Sequence, residues 1–246
     1  MLVVDIGNSR IKWATVNAGV LSGQGAADYQ DDTLAQQLDA DWGKLGNPAS
    51  VAYCSVGASE TGNILERWAN NRWGIFAARI RTTAAGFGVR CAYARPESLG
   101  ADRWAALVAC RHKQKSAAVI VDCGTAITLD AMSDAGEHLG GVIVPGVSLM
   151  RHALTSRTDQ IPPQDSDSRE VLAKSTADGV AAGTLYAAAA AVDRLAAELG
   201  RFLPAGSARI LTGGAMNLLR PLMTTEFEAD PDLVLYGLAV IGGGIE

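Results

Sequence analysis

The pattern of hydrophobic and polar positions along the chain begins twice. Three apolar, strand-like segments open the chain: residues 2–7, 10–16 and 19–23. Three more follow near the midpoint: residues 117–122, 126–131 and 138–144. Each set is followed by alternating helical and strand-like segments. Two halves that each start with a three-strand meander predict duplicated α/β domains.

The remaining segments alternate in type. Helical spacing of apolar residues predicts helices over residues 32–42, 61–72, 98–112, 147–155, 175–200 and 232–241. Short strands are predicted over residues 52–56, 75–80 and 208–211, and an irregular segment over residues 86–96. The Pro-, Asp- and Ser-rich stretch 158–169 predicts a mobile loop. The helix end near residues 112–116 places the predicted domains at 1–115 and 116–246.

The first turn of the first meander carries candidate chemistry. Its residues Asp5, Gly7, Asn8 and Ser9 offer a carboxylate, a close backbone approach and small hydrogen-bonding groups, and Lys12 follows on the outgoing strand. Asp5 could hold Mg²⁺ directly or through water, and Lys12 could reach a phosphate. The alternative is a tight hairpin whose polar side chains only satisfy the turn amides.

The first turn of the second meander repeats the pattern Asp-x-Gly followed by a small polar residue, with Asp122, Gly124 and Thr125. Two such tips could together hold a phosphate chain and its metal ion, although a capped turn remains open here too. A third glycine turn, Thr212–Ala215, follows a strand and precedes a helix. Helix N-termini favour anions, so this turn is a further candidate for contact with a phosphorylated ligand.

Asp102 and Arg103 stand together at a predicted helix start. They are either a first-turn acid beside a solvated base, or a buried carboxylate able to accept a proton beside an arginine that binds a carboxylate. Spacing alone leaves both interpretations open.

Charge and composition narrow the class of protein. The 246 residues carry a net charge of −5 with no basic block, so no electrostatic footprint for nucleic acid is present. The four cysteines are scattered without a C-x-x-C pair, which favours a reducing cytoplasm over a zinc site or disulfide framework. No secretory leader is visible, and no apolar segment approaches the ~20 residues of a bilayer span. The common P-loop and protein-kinase motifs are absent.

Five strings together resemble the type III pantothenate kinases, a bacterial family of the acetate kinase, sugar kinase, Hsp70 and actin superfamily. They are DIGNSRIKW at 5–13, LGADRWAA at 99–106, DCGTAIT at 122–128, GGVIVPG at 140–146 and TGG at 212–214. The resemblance covers essentially the whole chain. It implies an α/β fold of duplicated actin-like, or ribonuclease H-like, domains, each a mixed sheet flanked by helices.

The resemblance also implies an activity, the ATP-dependent phosphorylation of pantothenate to 4′-phosphopantothenate, which is the first step towards coenzyme A. Asp102 would accept the proton of the attacking hydroxyl. Pantothenate would contact Tyr93, Gly100, Ala101, Asp102, Arg103 and Thr176. ATP would contact Asp5, Ile6, Gly7, Asn8, Ser9, Arg10, Ile11, Lys12 and Thr125. Asp5 would lie near Mg²⁺, and Asp122 would bind a monovalent cation, K⁺ or NH₄⁺.

The long Ala-rich helix over 175–200 leaves two packing modes open. It can lie close against the sheet, or its small residues can form a dimer seam. The resemblance implies a cytoplasmic homodimer with sites at the interface, in which this helix supplies Thr176 to the neighbouring subunit. It implies no nucleic-acid or membrane partner. The alternatives are another small-acid or sugar kinase of the superfamily, and a non-catalytic regulatory accessory protein.

Overall fold

The computed structural model describes residues 1–29, 33–43, 45–55, 59–157 and 166–245, and the chain divides into two compact units. The first comprises Met1–Lys115, Ala135–His138 and Asp232–Glu246, and the second comprises Ser116–Asp134 and Leu139–Pro231. The units therefore differ from the predicted domains 1–115 and 116–246, because a short turn and the C-terminal helix pack within the first unit. As folding domains, those two ranges stay a prediction.

A five-stranded mixed sheet forms the centre of the first unit. Its strands are β1 (Leu2–Ile6), β2 (Arg10–Asn17), β3 (Val20–Asp28), β4 (Val51–Ser55) and β5 (Ala78–Arg79). The order is β3-β2-β1-β4-β5, with β1, β2 and β3 antiparallel and β4 and β5 parallel to β1. The predicted opening meander is confirmed. The stretch predicted as irregular overlaps a small hairpin, β6 (Ala85–Gly86) and β7 (Val89–Arg90), whose strands are too short for periodicity to reveal.

The second unit repeats this topology. Its strands are β8 (Ala118–Cys123), β9 (Ala126–Met132), β10 (His138–Pro145), β11 (Ala208–Thr212) and β12 (Glu228–Ala229). Their order is β10-β9-β8-β11-β12, with β8 and β9 antiparallel and β11 and β12 parallel to β8. The same strand order in both sheets confirms the duplicated α/β architecture that the repeated pattern predicts.

The predicted helices are present with small shifts at their ends. They are α1 (Leu34–Trp42), α2 (Ser59–Trp73), α3 (Ala101–Lys113), α4 (Val147–Arg157), α5 (Thr176–Gly200), α6 (Met216–Leu219) and α7 (Leu233–Ile241). The helix predicted from residue 98 starts later because Pro96–Ser98 form a 3₁₀ turn. Residues 158–165 of the predicted mobile loop lie outside the described residues.

The first unit holds its helices through a tight contact and an aromatic core. A Cβ on Gly237 of α7 would stand 1.9 Å from the carbonyl oxygen of Ala105 in α3, so glycine permits these helices to touch. Beneath α1 and α2, the indole of Trp42 lies 5.6 Å from that of Trp13 and 5.7 Å from that of Trp68, measured between ring centroids. The glycine contact fixes α7 against α3, and the indole contacts pack α1 and α2 against the first sheet.

Helix α5 packs its small side chains on the second sheet. Leu185, Ala188 and Val192 are buried in the core formed with β8 and β9. Close packing on the sheet, one of the two predicted modes, is therefore present.

The same helix corrects one expectation. Within the described ranges, α5 is the one helix long and apolar enough to cross a membrane by length and composition. The prediction that no apolar segment approaches that length is therefore wrong. The core helix of a soluble protein passes the same test of length and composition. Helix α5 buries one of its faces against the second sheet.

Candidate active site

The first tip is the turn between β1 and β2. Asp5 pairs with Lys12 and Ile6 with Ile11 in the antiparallel register, and the amide of Gly7 donates to the carbonyl of Arg10 at 2.9 Å. The predicted hairpin is therefore present, with Asp5 at the end of a buried strand and the polar turn beyond it.

The residues of this tip differ in what they can offer a ligand. Asn8, Ser9 and Arg10 are exposed. Ile6 and Ile11 are wholly buried, so their side chains belong to the core and only their backbone atoms could meet ATP. A ligand at this tip would therefore meet backbone groups and polar side chains, but not the side chains of Ile6 and Ile11.

Tyr29, which the sequence did not single out, fixes this tip. Its hydroxyl donates to the carbonyl of Gly7 at 2.6 Å, and its amide donates to the carbonyl of Ser9 at 3.4 Å. The residue follows β3, so the third strand of the meander holds the turn between the first two. No local motif marks such a contact, because it depends on the register of β3.

The carboxylate of Asp5 lies beside a thiol. Cys54 is the register partner of Asp5 on β4, and its Sγ donates to Asp5 Oδ1 at 3.3 Å. Burial raises the pKa of Asp5, and the charge of Lys12 opposes that rise. Asp5 is therefore a desolvated carboxylate that a cation would stabilise.

Asp102 approaches the same place from the start of α3. The helix begins after Gly100, and Asp102 Oδ1 accepts a hydrogen bond from the amide of Arg103 at 2.7 Å. Burial, and then the charge of Asp5, raise the pKa of Asp102 to about 6. The two acids, far apart in the sequence, thus act on one another electrostatically within the first unit.

The side chain of Arg103 is a buried cation. Only 5% of it is exposed, so its interpretation as a solvated first-turn residue is wrong. Its Nη1 donates to the hydroxyl of Tyr93 at 3.0 Å, and its guanidinium carbon lies 5.7 Å from the Tyr93 ring centroid. The predicted pair Tyr93 and Arg103 is therefore brought together next to Asp102.

The second tip, between β8 and β9, is surrounded by glycines. Asp122 pairs with Thr128 on β9 and with Thr212 on β11. Gly213 has a φ of +96°, and a Cβ there would stand 2.4 Å from Asp122 Oδ1. The third predicted turn is thus in contact with the second tip and needs glycine to approach it.

Thr125 lies at the end of this tip with its side chain exposed. Its carbonyl accepts from the amide of Gly146 at 2.9 Å, and a Cβ on Gly146 would stand 2.3 Å from the carbonyl oxygen of Gly124. Gly146, at the end of the string 140–146, therefore packs directly against the backbone of the second tip. The Thr125 hydroxyl remains available to a ligand.

Thr176 begins α5, one residue after its cap. The Ser175 hydroxyl accepts from the amide of Asp178 at 3.1 Å, which fixes the helix start. Thr176 is exposed and lines an apolar groove of about 700 Å³ between α4 and α5, together with Leu149, Val180 and others. This residue lies in the second unit, whereas the other predicted pantothenate contacts lie in the first.

Metal ligation here would rest on single carboxylates. Among the described residues no group of three His, Cys, Asp or Glu side chains could hold a metal ion. Asp5 suits Mg²⁺, which takes oxygen ligands and keeps several waters beside one or two carboxylates and substrate phosphates. Asp122 offers a carboxylate at a tip where the backbone of Gly213 approaches closely.

Comparison with known proteins decides the family. A family model for type III pantothenate kinases matches residues 1–198. A type III pantothenate kinase from Nitrosococcus oceani is 38% identical over 245 residues, which cover 97% of this chain and 92% of that protein. The chain belongs to the type III pantothenate kinase family.

Solved structures agree with that family at the level of fold. A Baf family transcriptional activator from Campylobacter jejuni covers 100% of both chains at a TM-score of 0.60 and 18% identity. The activator of 2-hydroxyisocaproyl-CoA dehydratase from Clostridium difficile, with bound ADPNP, covers 99% of this chain and 95% of that one at a TM-score of 0.53 and 11% identity. Such low identities show the fold alone. The actin-like fold expected of a type III pantothenate kinase is confirmed.

Proposed function

We propose that the first unit carries out the phosphoryl transfer of a type III pantothenate kinase: the γ-phosphoryl group of ATP passes to the primary hydroxyl of pantothenate, giving 4′-phosphopantothenate for coenzyme A synthesis. Family membership supports the reaction. The observation that carries the residue assignment is the convergence of Asp5 and Asp102, whose charges act on one another beside the buried Arg103.

The first tip is the phosphate side in this proposal. Phosphoryl transfer needs donors against the phosphates and a cation to neutralise their charge. Asn8, Ser9 and Lys12 supply donors, and Asp5 would hold Mg²⁺ or one of its waters. The metal, when bound, would neutralise charge on the phosphates, and the turn fixed by Tyr29 keeps those donors in position.

Asp102 is the proposed proton acceptor. A pKa of about 6 makes it a better base than an ordinary carboxylate while leaving it mostly ionised at neutral pH. In a loose transition state the proton leaves the hydroxyl late, so a carboxylate base suffices. The amide of Arg103 donates to Asp102 Oδ1 and so fixes the orientation of the carboxylate.

Arg103 and Tyr93 are the proposed contacts for the polar end of pantothenate. Pantothenate carries a carboxylate, and a buried guanidinium binds a carboxylate by charge-assisted hydrogen bonds. The helix start at Gly100 and Ala101 adds backbone amides that have no partner within the helix.

Asp122 and Thr125 are proposed to hold a monovalent cation, K⁺ or NH₄⁺, and ATP respectively. The glycines at 146 and 213 bring backbone close to this tip, which supports an ion bound by one carboxylate and carbonyl oxygens.

A homodimer through α5 is also proposed, in the cytoplasm. Its support is the apolar groove along α4 and α5, where a Cβ on Gly183 would meet nothing within 4 Å. An open groove with small residues suits the close approach of a second helix. Thr176, at the start of this helix, would then serve the neighbouring subunit.

Release of ADP by the purified protein with ATP, Mg²⁺ and K⁺ tests the proposed function. We expect release that depends on pantothenate and not on a panel of sugars and short carboxylic acids. ADP release without dependence on pantothenate would overturn the proposal. Replacement of K⁺ by Na⁺ in the same assay is expected to lower the rate.

A further inference from the structure

The segment Ala135–His138 ends the turn between β9 and β10 and includes His138, the first residue of β10. It belongs to the first unit, although β9 and the rest of β10 belong to the second. The amide of Arg90 donates to the carbonyl of Gly136 at 2.9 Å, and Arg90 Nε lies 3.2 Å from Glu137 Oε1. The turn is therefore attached to the small hairpin β6–β7 by a backbone bond and an ion pair.

Gly136 makes this attachment close. Its φ is +82°, and a Cβ at this position would stand 2.0 Å from the carbonyl oxygen of Gly88. A side chain here would push the turn away from the hairpin, so this close contact requires glycine.

His138, at the start of β10, contacts Tyr93, one of the proposed pantothenate contacts. His138 is only 3% exposed, and its ring stacks on that of Tyr93 with centroids 6.0 Å apart and planes 23° from parallel. The amide of Ala92 also donates to His138 Nδ1 at 3.5 Å. On its other side, the Tyr93 hydroxyl accepts from Arg103. One continuous row thus runs from His138 through Tyr93 to Arg103.

We propose that His138 is a positioning residue for pantothenate binding, acting through Tyr93 and Arg103. The inference rests on the proposed function, which makes those two residues the pantothenate contacts. A tyrosine ring held on one face by a buried imidazole loses rotational freedom before the substrate arrives, and such preorganisation raises affinity. The phosphate side at Asp5 takes no part in this row, so ATP binding should not depend on it.

Steady-state kinetics of His138→Ala test this inference. We expect KM for pantothenate to rise about tenfold, the effect of roughly 1.4 kcal/mol of lost binding, with less than a twofold change in KM for ATP. His138→Phe keeps a flat ring against Tyr93 and is expected to recover most of the pantothenate affinity. Recovery by a ring without nitrogens separates stacking from the weak bond to Ala92.

His112→Ala is the matched control. His112 also lies against a tyrosine of the first unit, with its ring centroid 5.7 Å from that of Tyr236 and Nδ1 3.0 Å from the Tyr236 hydroxyl. We expect this variant to keep both KM values.

Three outcomes separate the claims. An unchanged KM for pantothenate in His138→Ala overturns the inference. So does an equal rise in both KM values that His138→Phe does not relieve, because that pattern indicates general loss of structure. Wild-type protein without pantothenate-dependent turnover would instead overturn the proposed function.

Discussion

The two units share a strand order but differ in what surrounds their first hairpin. Each sheet places an antiparallel meander beside two parallel strands, and each first turn carries Asp-x-Gly. In the first unit a thiol, a lysine and a second acid act on Asp5. In the second, Gly213 and Gly146 bring backbone against the tip that carries Asp122.

This difference teaches that a duplicated hairpin acquires its chemistry from the strands and helices next to it. β4 and α3 bring Cys54 and Asp102 to the first tip, so its acids are desolvated and suit a divalent cation and proton transfer. β11 and the turn after it bring Thr212 and Gly213 against Asp122 at the second tip, so small residues and backbone surround this carboxylate. The proposed roles therefore diverge although the phrases match.

The largest expected effect comes from Asp102→Asn, which removes the proposed base while keeping the size of the side chain. A general base contributes about 10²–10⁴-fold to a rate, so we expect kcat to fall by roughly 10³-fold with the fold retained. Rapid-quench measurement of pantothenate phosphorylation and circular dichroism give the two readings.

Glu97→Gln is the control for that substitution. Glu97 is an exposed acid in the turn before α3, so the same change of charge is made nearby without touching the site. Near-normal turnover in Asp102→Asn, or an equal loss in Glu97→Gln, would contradict the base assignment.

Gly213→Ala tests the role of the glycines at the second tip. Two terms add here: about 1–2 kcal/mol for a left-handed backbone, and about 1–3 kcal/mol for overpacking against Asp122. Urea unfolding should show the loss of stability, and activity should need more K⁺.

Gly140→Ala separates those terms. Gly140 also has a positive φ, +117°, but a Cβ there would meet nothing within 4 Å. We expect only the backbone cost and an unchanged K⁺ requirement. Equal losses in both variants would show that the contact with Asp122 carries no weight.

A smaller effect is expected in how the stability of the folded protein depends on pH. The folded state raises the pKa of Asp102 from 3.8 to about 6, so the folded protein holds this proton more tightly than the unfolded chain. The stabilisation is present below about pH 4 and is lost as pH rises through about 6. In EDTA and without ligands, Asp102→Asn should therefore gain several degrees in Tm over wild type between pH 4 and pH 7. A Tm difference that is constant across this range would contradict the raised pKa.

Most of the architecture could be predicted from the sequence, because the local spacing of apolar residues determines where most strands and helices form. The meanders follow from apolar spacing, and the Ala-rich composition over 175–200 predicted the helix Thr176–Gly200. The short β6–β7 hairpin and β12 escaped because two residues carry no period.

The site was predicted less completely, because its neighbours come from distant strands. The motifs located Asp5, Asp102 and Asp122, but their roles depended on a resemblance. The contacts of Cys54, Tyr29 and His138 depend on strand register and on where the chain enters β10, which no local pattern encodes. Even Ile6 and Ile11, inside the matching string, prove to be core residues.

The central claim, that two similar tips bind different cations, is tested most directly by titrating Mg²⁺ and K⁺ separately on Asp5→Asn and Asp122→Asn. Kinase activity is the readout, with each ion varied while the other is saturating. We expect Asp5→Asn to raise the half-saturating Mg²⁺ about tenfold or more with little change for K⁺, and Asp122→Asn to do the reverse. Both variants shifting the same ion, or each shifting both ions equally, would contradict the account.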